Sequence, residues 1–107
     1  MVNIGNKTIG KEARCYITLE AGPTINGFDS AISLIDSASI SGADAIKFQL
    51  LSAGELVSDK KQQFEYEILT NQHSREVKKV SESLFEILRR RELTDDEWRE
   101  IKKYCDK

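Results

Sequence analysis

With 107 residues the chain fits one domain, large enough to bury a core yet small beside the common enzyme barrels. Its 16 Lys and Arg against 18 Asp and Glu leave a net charge of -2, which argues for neither nucleic acid nor an anionic membrane as a partner. No run nears the roughly 18 apolar residues of a membrane helix, and the polar N-terminus has no signal-peptide core, so a soluble, cytoplasmic protein is expected.

The opening "MVNIGNKTIG" has Gly5-Asn6 between the β-prone pieces Val2 to Ile4 and Lys7 to Ile9, which predicts a tight hairpin over residues 1–10. "CYITLE", from Cys15 to Glu20, predicts a strand, stopped by the glycines, proline and asparagine of "AGPTING". Phe28, Ala31, Ile32, Ile35 and Ala38 then recur at helical spacing up to a stop at Gly42. "ADAIKFQL" reads as a second strand. Residues 15–50 thus form a β-loop-α-β unit whose strands are parallel neighbours with a right-handed crossover.

Residues 51–74 show no clean period and are expected to be a long loop with a short helical turn. From Arg75, the stripe Val77, Val80, Leu84, Ile87 and Leu88 predicts an amphipathic helix ending in "RRRE", where three arginines complement the helix dipole. Thr94-Asp95-Asp96-Glu97 is a capping box with Leu93 and Trp98 at the staple positions, so a further helix starts at Asp95. Trp98, Ile101 and Cys105, with Tyr104 beside them, form its expected buried face. Residues 75–107 are therefore read as a helical segment. Cys15 and Cys105 lie outside any CxxC or Cys/His spacing and are expected to be reduced and structural.

Residues two apart in a strand share a face, so Ala45, Lys47 and Gln49 oppose Ile46, Phe48 and Leu50. The apolar set belongs under the helices. An unpaired ammonium on the other face is costly inside a barrel or crevice unless an anion or ligand meets it. Glu20, Lys47 and Gln49 all fall at the C-terminal ends of the strands, where α/β sheets and barrels bind ligands. Two readings stay open: the three residues converge on one site, or Glu20 and Lys47 form a structural ion pair between adjacent strands.

"IGNKTIG", "CYITLEAG", "TINGFDSAISLIDSASISGADAIKFQLLSAGELVS" and "FEILRRRELTDDEWREIKKYC" follow in order along nearly the whole chain, and the chain they compose resembles the N-terminal part of the sialic acid synthase family. The match is most specific at "GADAIKFQ". The resemblance implies the first part of a (β/α)₈ barrel that condenses phosphoenolpyruvate with an N-acetylated aminosugar, such as N-acetylmannosamine, to give sialic acid or a related nonulosonic acid. It implies attack of the enolpyruvate C3 on the open-chain sugar aldehyde, water addition at C2, and loss of phosphate. A divalent metal, manganese or magnesium, assists. By the same resemblance Lys47 binds phosphoenolpyruvate, Gln49 lies near the sugar, and Glu20 has an acid/base or orienting role in the active site.

Two departures temper the expected activity. The family has Asn-His two and three positions after the glycine ending the first strand, where this chain has Thr24 and Ile25, while Asn26 and Gly27 keep the family's Asn-Gly. A barrel of this type also takes eight strands in roughly 250 residues, and the β-loop-α-β unit of this chain supplies the first two, about its first quarter. The family's two metal-binding histidines find no counterpart in His73, which stands alone and is expected to face solvent or cap a turn. The isolated chain is expected to be non-catalytic, and its open strand edges and part-covered apolar surface point to self-association or to completion by another barrel segment. The alternative is a non-catalytic interaction module.

Overall fold

A computed structural model describes all residues, 1–107, as a mixed α/β protein with three two-stranded sheets and four helices. They are divided between two compact units, residues 1–49 with 94–107, and residues 50–93.

The first unit opens with β1 (Val2–Ile4) and β2 (Lys7–Ile9), the predicted hairpin, which pairs antiparallel with Val2 opposite Ile9 and Ile4 opposite Lys7. Gly5 sits at φ +58, the left-handed conformation that this two-residue turn demands and that other residues adopt at a cost. β3 (Thr18–Gly22) and β4 (Ala45–Phe48) are parallel neighbours joined by α1 (Phe28–Ile40), as expected of a β-α-β unit.

β3 begins three residues later than "CYITLE" suggests. Asp44 explains the delay: its carboxylate accepts the Ile17 N–H at 2.9 Å, while Ile17 O accepts the N–H groups of Asp44 and Ala45. The entry to the sheet is thus fastened by a side chain, and the ladder starts at Thr18. The Asp44 side chain is 2 % exposed, with Arg14 and Lys7 placed around it as counter-charges. Its carboxyl is held below the usual range, first by the Ile17 N–H and then by the Arg14 and Lys7 charges.

α4 (Asp95–Cys105) carries the predicted capping box. Thr94 Oγ1 accepts the Glu97 N–H at 3.2 Å, and the Glu97 carboxylate accepts the Thr94 N–H at 2.8 Å. α1 and α4 pack together, and Tyr104 donates to Asp36 at 2.7 Å across them. Phe48 meets Trp98 with ring centroids 6.0 Å apart, which settles that the Ile46/Phe48 side of β4 lies on the helix side. Ile25, Ala31, Ile35, Ala38 and Ile101 make this unit's core. Cys105 lies outside it: both cysteines are free and exposed, so the expected structural role does not apply to either.

The second unit overturns the reading of residues 75–107 as helical throughout. Residues 76–83 are a strand. α2 (Ala53–Leu56) is the expected short turn, but it is followed by a long antiparallel ribbon, β5 (Gln63–Asn71) and β6 (Glu76–Ser83), and only then by the short α3 (Leu84–Arg89). The spacing of Val77, Val80 and Leu84 also suits a helix, but "FEYEI" ahead of it alternates with period two, and that strand sets Tyr66 opposite Val80 and the following Leu69 opposite Val77. The turn is built locally: Asn71 Oδ1 accepts the N–H groups of His73 and Ser74, and Arg75 takes φ 55. Val77 is left 56 % exposed, so the expected apolar stripe does not exist as one face.

Ser83 caps the N-terminus of α3, its hydroxyl accepting the Glu86 N–H. Ala53, Val57 and Ile87 form this unit's small core, and the Glu92 carboxylate accepts the Ala53 N–H at the start of α2. No helix is long and apolar enough to cross a membrane.

Candidate functional site

β3 and β4 end side by side. Glu20 is the register partner of Lys47, and an irregularity follows at once: the ladder resumes with Gly22 opposite Phe48, leaving Ala21 unpaired. Gly22 has φ +56 and gives its N–H to Glu20 Oε1 at 2.8 Å. A Cβ at Gly22 would lie 3.9 Å from that oxygen, so the positive φ rather than crowding is what calls for glycine. The bulge therefore bends the strand end over its own carboxylate and fixes where the carboxylate points.

The other carboxylate oxygen, Glu20 Oε2, accepts from Lys47 Nζ at 2.5 Å. The side chains are 51 % and 62 % exposed. Both lie on the face opposite Phe48 and Trp98, so the polar face and the helix-covered face are separated as the alternation requires. Lys47 first, and the Gly22 N–H second, hold the Glu20 carboxyl below its ordinary range. Glu20 is therefore a carboxylate at neutral pH. Gln49 directly follows β4 and is exposed, but the ion pair does not include it.

The ion pair foreseen as one of two alternatives is thus present, although it is not a buried strut. An exposed pair of this kind contributes little to stability, with a median near 0–1 kcal/mol. Stability alone gives a weak reason to place an ammonium and a carboxylate in register at the strand ends. The arrangement provides a cationic donor open to solvent, a fixed acceptor beside it and an amide two residues further on.

The neighbouring loop carries the departure from the family pattern. Thr24 donates its hydroxyl to Ala21 O at 2.6 Å, and Ile25 turns inward to become the most buried large side chain, at 1 % exposure. Position 25 therefore serves packing here. Asn26 is exposed and its N–H meets Ser30 Oγ at 3.2 Å, while Gly27, at φ +91, leads into α1.

His73 lies exposed in the β5–β6 turn, as expected, with its backbone rather than its ring engaged. No group of three or more His, Cys, Asp or Glu has metal-binding geometry, so the residues present do not fit the divalent ion that the resemblance implies, and no step is assigned through it. Of the three arginines at 89–91, Arg89 pairs with Glu86 at 3.6 Å within α3. Arg90 instead reaches back to β6 and grips both oxygens of Glu82, at 2.7 and 2.9 Å, while Tyr66 donates to the same carboxylate. This cluster was not foreseen, because it depends on β6 being a strand.

The chain is a mixed α/β protein whose polar pair lies at the C-terminal ends of two parallel strands. Its sequence is more specific. Residues 34–107 match the model of the NeuB family, and the chain belongs to that family. It is 48 % identical over 54 residues to the spore coat polysaccharide biosynthesis protein SpsE of Bacillus subtilis, which covers 50 % of this chain and 14 % of the relative. It is 41 % identical over 64 residues to the N,N'-diacetyllegionaminic acid synthase of Legionella pneumophila, covering 59 % of this chain and 18 % of that one. An uncharacterized protein of Methanocaldococcus jannaschii, MJ1065, aligns over 107 residues at 31 % identity, covering 99 % of this chain and 26 % of its own length. The chain therefore spans about a quarter or less of these curated relatives. No solved structure matches it.

Proposed function

We propose that this chain is the N-terminal portion of a phosphoenolpyruvate-dependent synthase of a nonulosonic acid, and that β3, α1 and β4 are the first elements of its (β/α)₈ barrel. Family membership supports the reading, as do relatives whose names are those of a diacetyllegionaminic acid synthase and a coat polysaccharide biosynthesis protein. The single observation that carries it is the exposed Lys47–Glu20 pair in register at the strand ends, on the face away from the helices.

In this reading Lys47 offers a cationic donor to the phosphate or carboxylate of phosphoenolpyruvate, where a charge-assisted hydrogen bond is about twice as strong as a neutral one. Glu20 is oriented by Gly22 and stays ionised, which suits it to accept a hydrogen bond from a sugar hydroxyl and so to orient the substrate. Gln49 contributes an amide toward the sugar. Such a site stabilises the developing anionic oxygens during carbon–carbon bond formation and phosphate loss. A divalent ion, manganese or magnesium, would be held by residues other than those described here. The short chain by itself is non-catalytic in this account.

The test is phosphate release by a polypeptide that joins this segment to the remaining barrel. Release must require both phosphoenolpyruvate and an N-acetylated aminosugar, and must fall by about two orders of magnitude or more in Gln49→Ala as well as Lys47→Ala. Normal condensation in both variants would overturn the proposal. A non-catalytic module is the competing reading, and the buried Ile25 in place of a polar residue favours it. It predicts no sugar-dependent release from the complete polypeptide.

A further inference from the structure

Two side-chain contacts bracket the short β3–β4 ladder, Asp44 to Ile17 where it starts and Lys47 to Glu20 where it finishes, and both join residues 27 apart along the chain. The equal separation places them in one register, the one in which Thr18 faces Ala45 and Glu20 faces Lys47. Whatever selects that register decides whether the polar pair exists.

The alternation of apolar and polar side chains excludes a slip of one residue, which would turn Lys47 to the helix side. A slip of two is different, because every side chain keeps its face. Glu20 would then stand opposite Ala45 or Gln49, and Lys47 opposite Gly22 or Thr18, with no ion pair in either case. The Glu20–Lys47 pair cannot itself prevent this, since both side chains are exposed and such pairs rank among the weakest contributors to stability.

Asp44 has the means. Its side chain is 2 % exposed and both carboxylate oxygens are engaged: Oδ2 accepts the Ile17 N–H at 2.9 Å, while Oδ1 meets the Arg14 guanidinium and, at 3.6 Å, the Lys7 ammonium of β2. Ile17 O in return accepts the N–H groups of Asp44 and Ala45 at 2.8 and 3.2 Å. Hydrogen bonds to ionised groups are of the stronger kind, and a buried charge that loses its partners is penalised further. A slip of two residues would carry Arg14 and Ile17 away from the carboxylate together, because both sit on the approach to β3.

We propose that Asp44 is a positioning residue for the polar pair: its carboxylate clamps the start of β3 to the start of β4 in the one register that sets Glu20 against Lys47, about 10 Å further along the strands. Through Lys7 the clamp also ties the β1–β2 hairpin to that register, so a change at the end of the sheet remote from the pair is felt at the pair. For its consequence in ligand binding the inference rests on the proposed function, since a displaced Lys47 no longer stands beside the Glu20 acceptor. The clamp itself is independent of that reading.

An NMR titration of the Glu20 carboxyl in the 107-residue chain tests the clamp. Lys47 and the Gly22 N–H hold this group below the ordinary 4.5. Lys47→Ala removes the partner and is expected to raise the midpoint. Asp44→Ala leaves Lys47 in place and is expected to raise it likewise, whereas Thr94→Ala, which destabilises the same unit at the α4 cap, is expected to leave it where it is. A midpoint unmoved by Asp44→Ala in a chain that keeps its far-UV circular dichroism overturns the proposal, as does an equal movement in Thr94→Ala. Amide hydrogen exchange of the unmutated chain gives a reading that no variant has to fold for: the Ile17 N–H is expected to be as protected as the amides of the β3–β4 ladder. An Ile17 amide that exchanges at the open-chain rate while the ladder stays protected also overturns it. In the polypeptide that joins this segment to the remaining barrel, Asp44→Ala is expected to weaken phosphoenolpyruvate binding about tenfold or more. A raised Glu20 midpoint with unchanged affinity supports the clamp and counts against Lys47 as the anion ligand.

Discussion

Ile25→Ala gives the most informative stability measurement, because this side chain stands where the family pattern has a polar residue. Ile25 is 1 % exposed and is the only large side chain buried to this degree. The substitution removes three carbon atoms, worth about 0.8 kcal/mol each in transfer free energy, or about 2.4 kcal/mol together. The cavity left behind adds to this, so a total of about 3 kcal/mol is expected, within the 2–5 kcal/mol typical of such truncations. Ile40, at 87 % exposure, serves as the control and should lose less than about 0.5 kcal/mol on the same change. Urea unfolding followed by the fluorescence of Trp98 reads both, and a shift in midpoint at constant slope isolates stability. A loss below about 1 kcal/mol for Ile25→Ala would refute the assignment of this residue to packing.

Other consequences follow from single residues. Thr94→Ala removes the side-chain acceptor of the α4 capping box and is expected to cost about 1 kcal/mol in the same unfolding experiment. Arg90, with Tyr66 second, lowers the Glu82 carboxyl to about 2. Because that folded value lies below the ordinary 4.5, the stabilisation is complete above about pH 4.5 and is lost as pH falls toward 2. Glu82→Gln should flatten the stability profile over that window, and an NMR titration of the wild-type carboxyl should show the low midpoint. Gly22→Ala forces a side chain into φ +56 beside Glu20 and should destabilise the strand end by about 1 kcal/mol or more, with loss of the protected Gly22 amide in hydrogen exchange.

Features set by contiguous residues were legible in the sequence. The Gly5-Asn6 hairpin, the α1 stripe from Phe28 and the Thr94 box each rest on a few neighbouring positions, and the structure has them at the expected places. The alternation in "AIKFQ" correctly separated Phe48 from Lys47. The misreading of residues 75–83 has a physical origin: Val77, Val80 and Leu84 satisfy a helical period, and only the partner strand "FEYEI" and the Asn71 turn make the extended form preferable. That alternation was visible and outweighs the stripe once the two segments are read together. The late start of β3 depends on Asp44, 27 residues from Ile17, and no local pattern announces such a contact. At the site, residue types indicated Glu20 and Lys47 as neighbours, but the bulge that gives Gly22 to the carboxylate required coordinates.

The account centres on Lys47 as an anion ligand. Equilibrium binding of phosphoenolpyruvate to the polypeptide that joins this segment to the rest of the barrel, compared between wild type and Lys47→Ala, tests it most directly. Loss of one charge-assisted hydrogen bond of about 1.5–3 kcal/mol predicts affinity weakened by about tenfold to a hundredfold or more. Equal affinity in the two proteins, with the fold intact by circular dichroism, would contradict it.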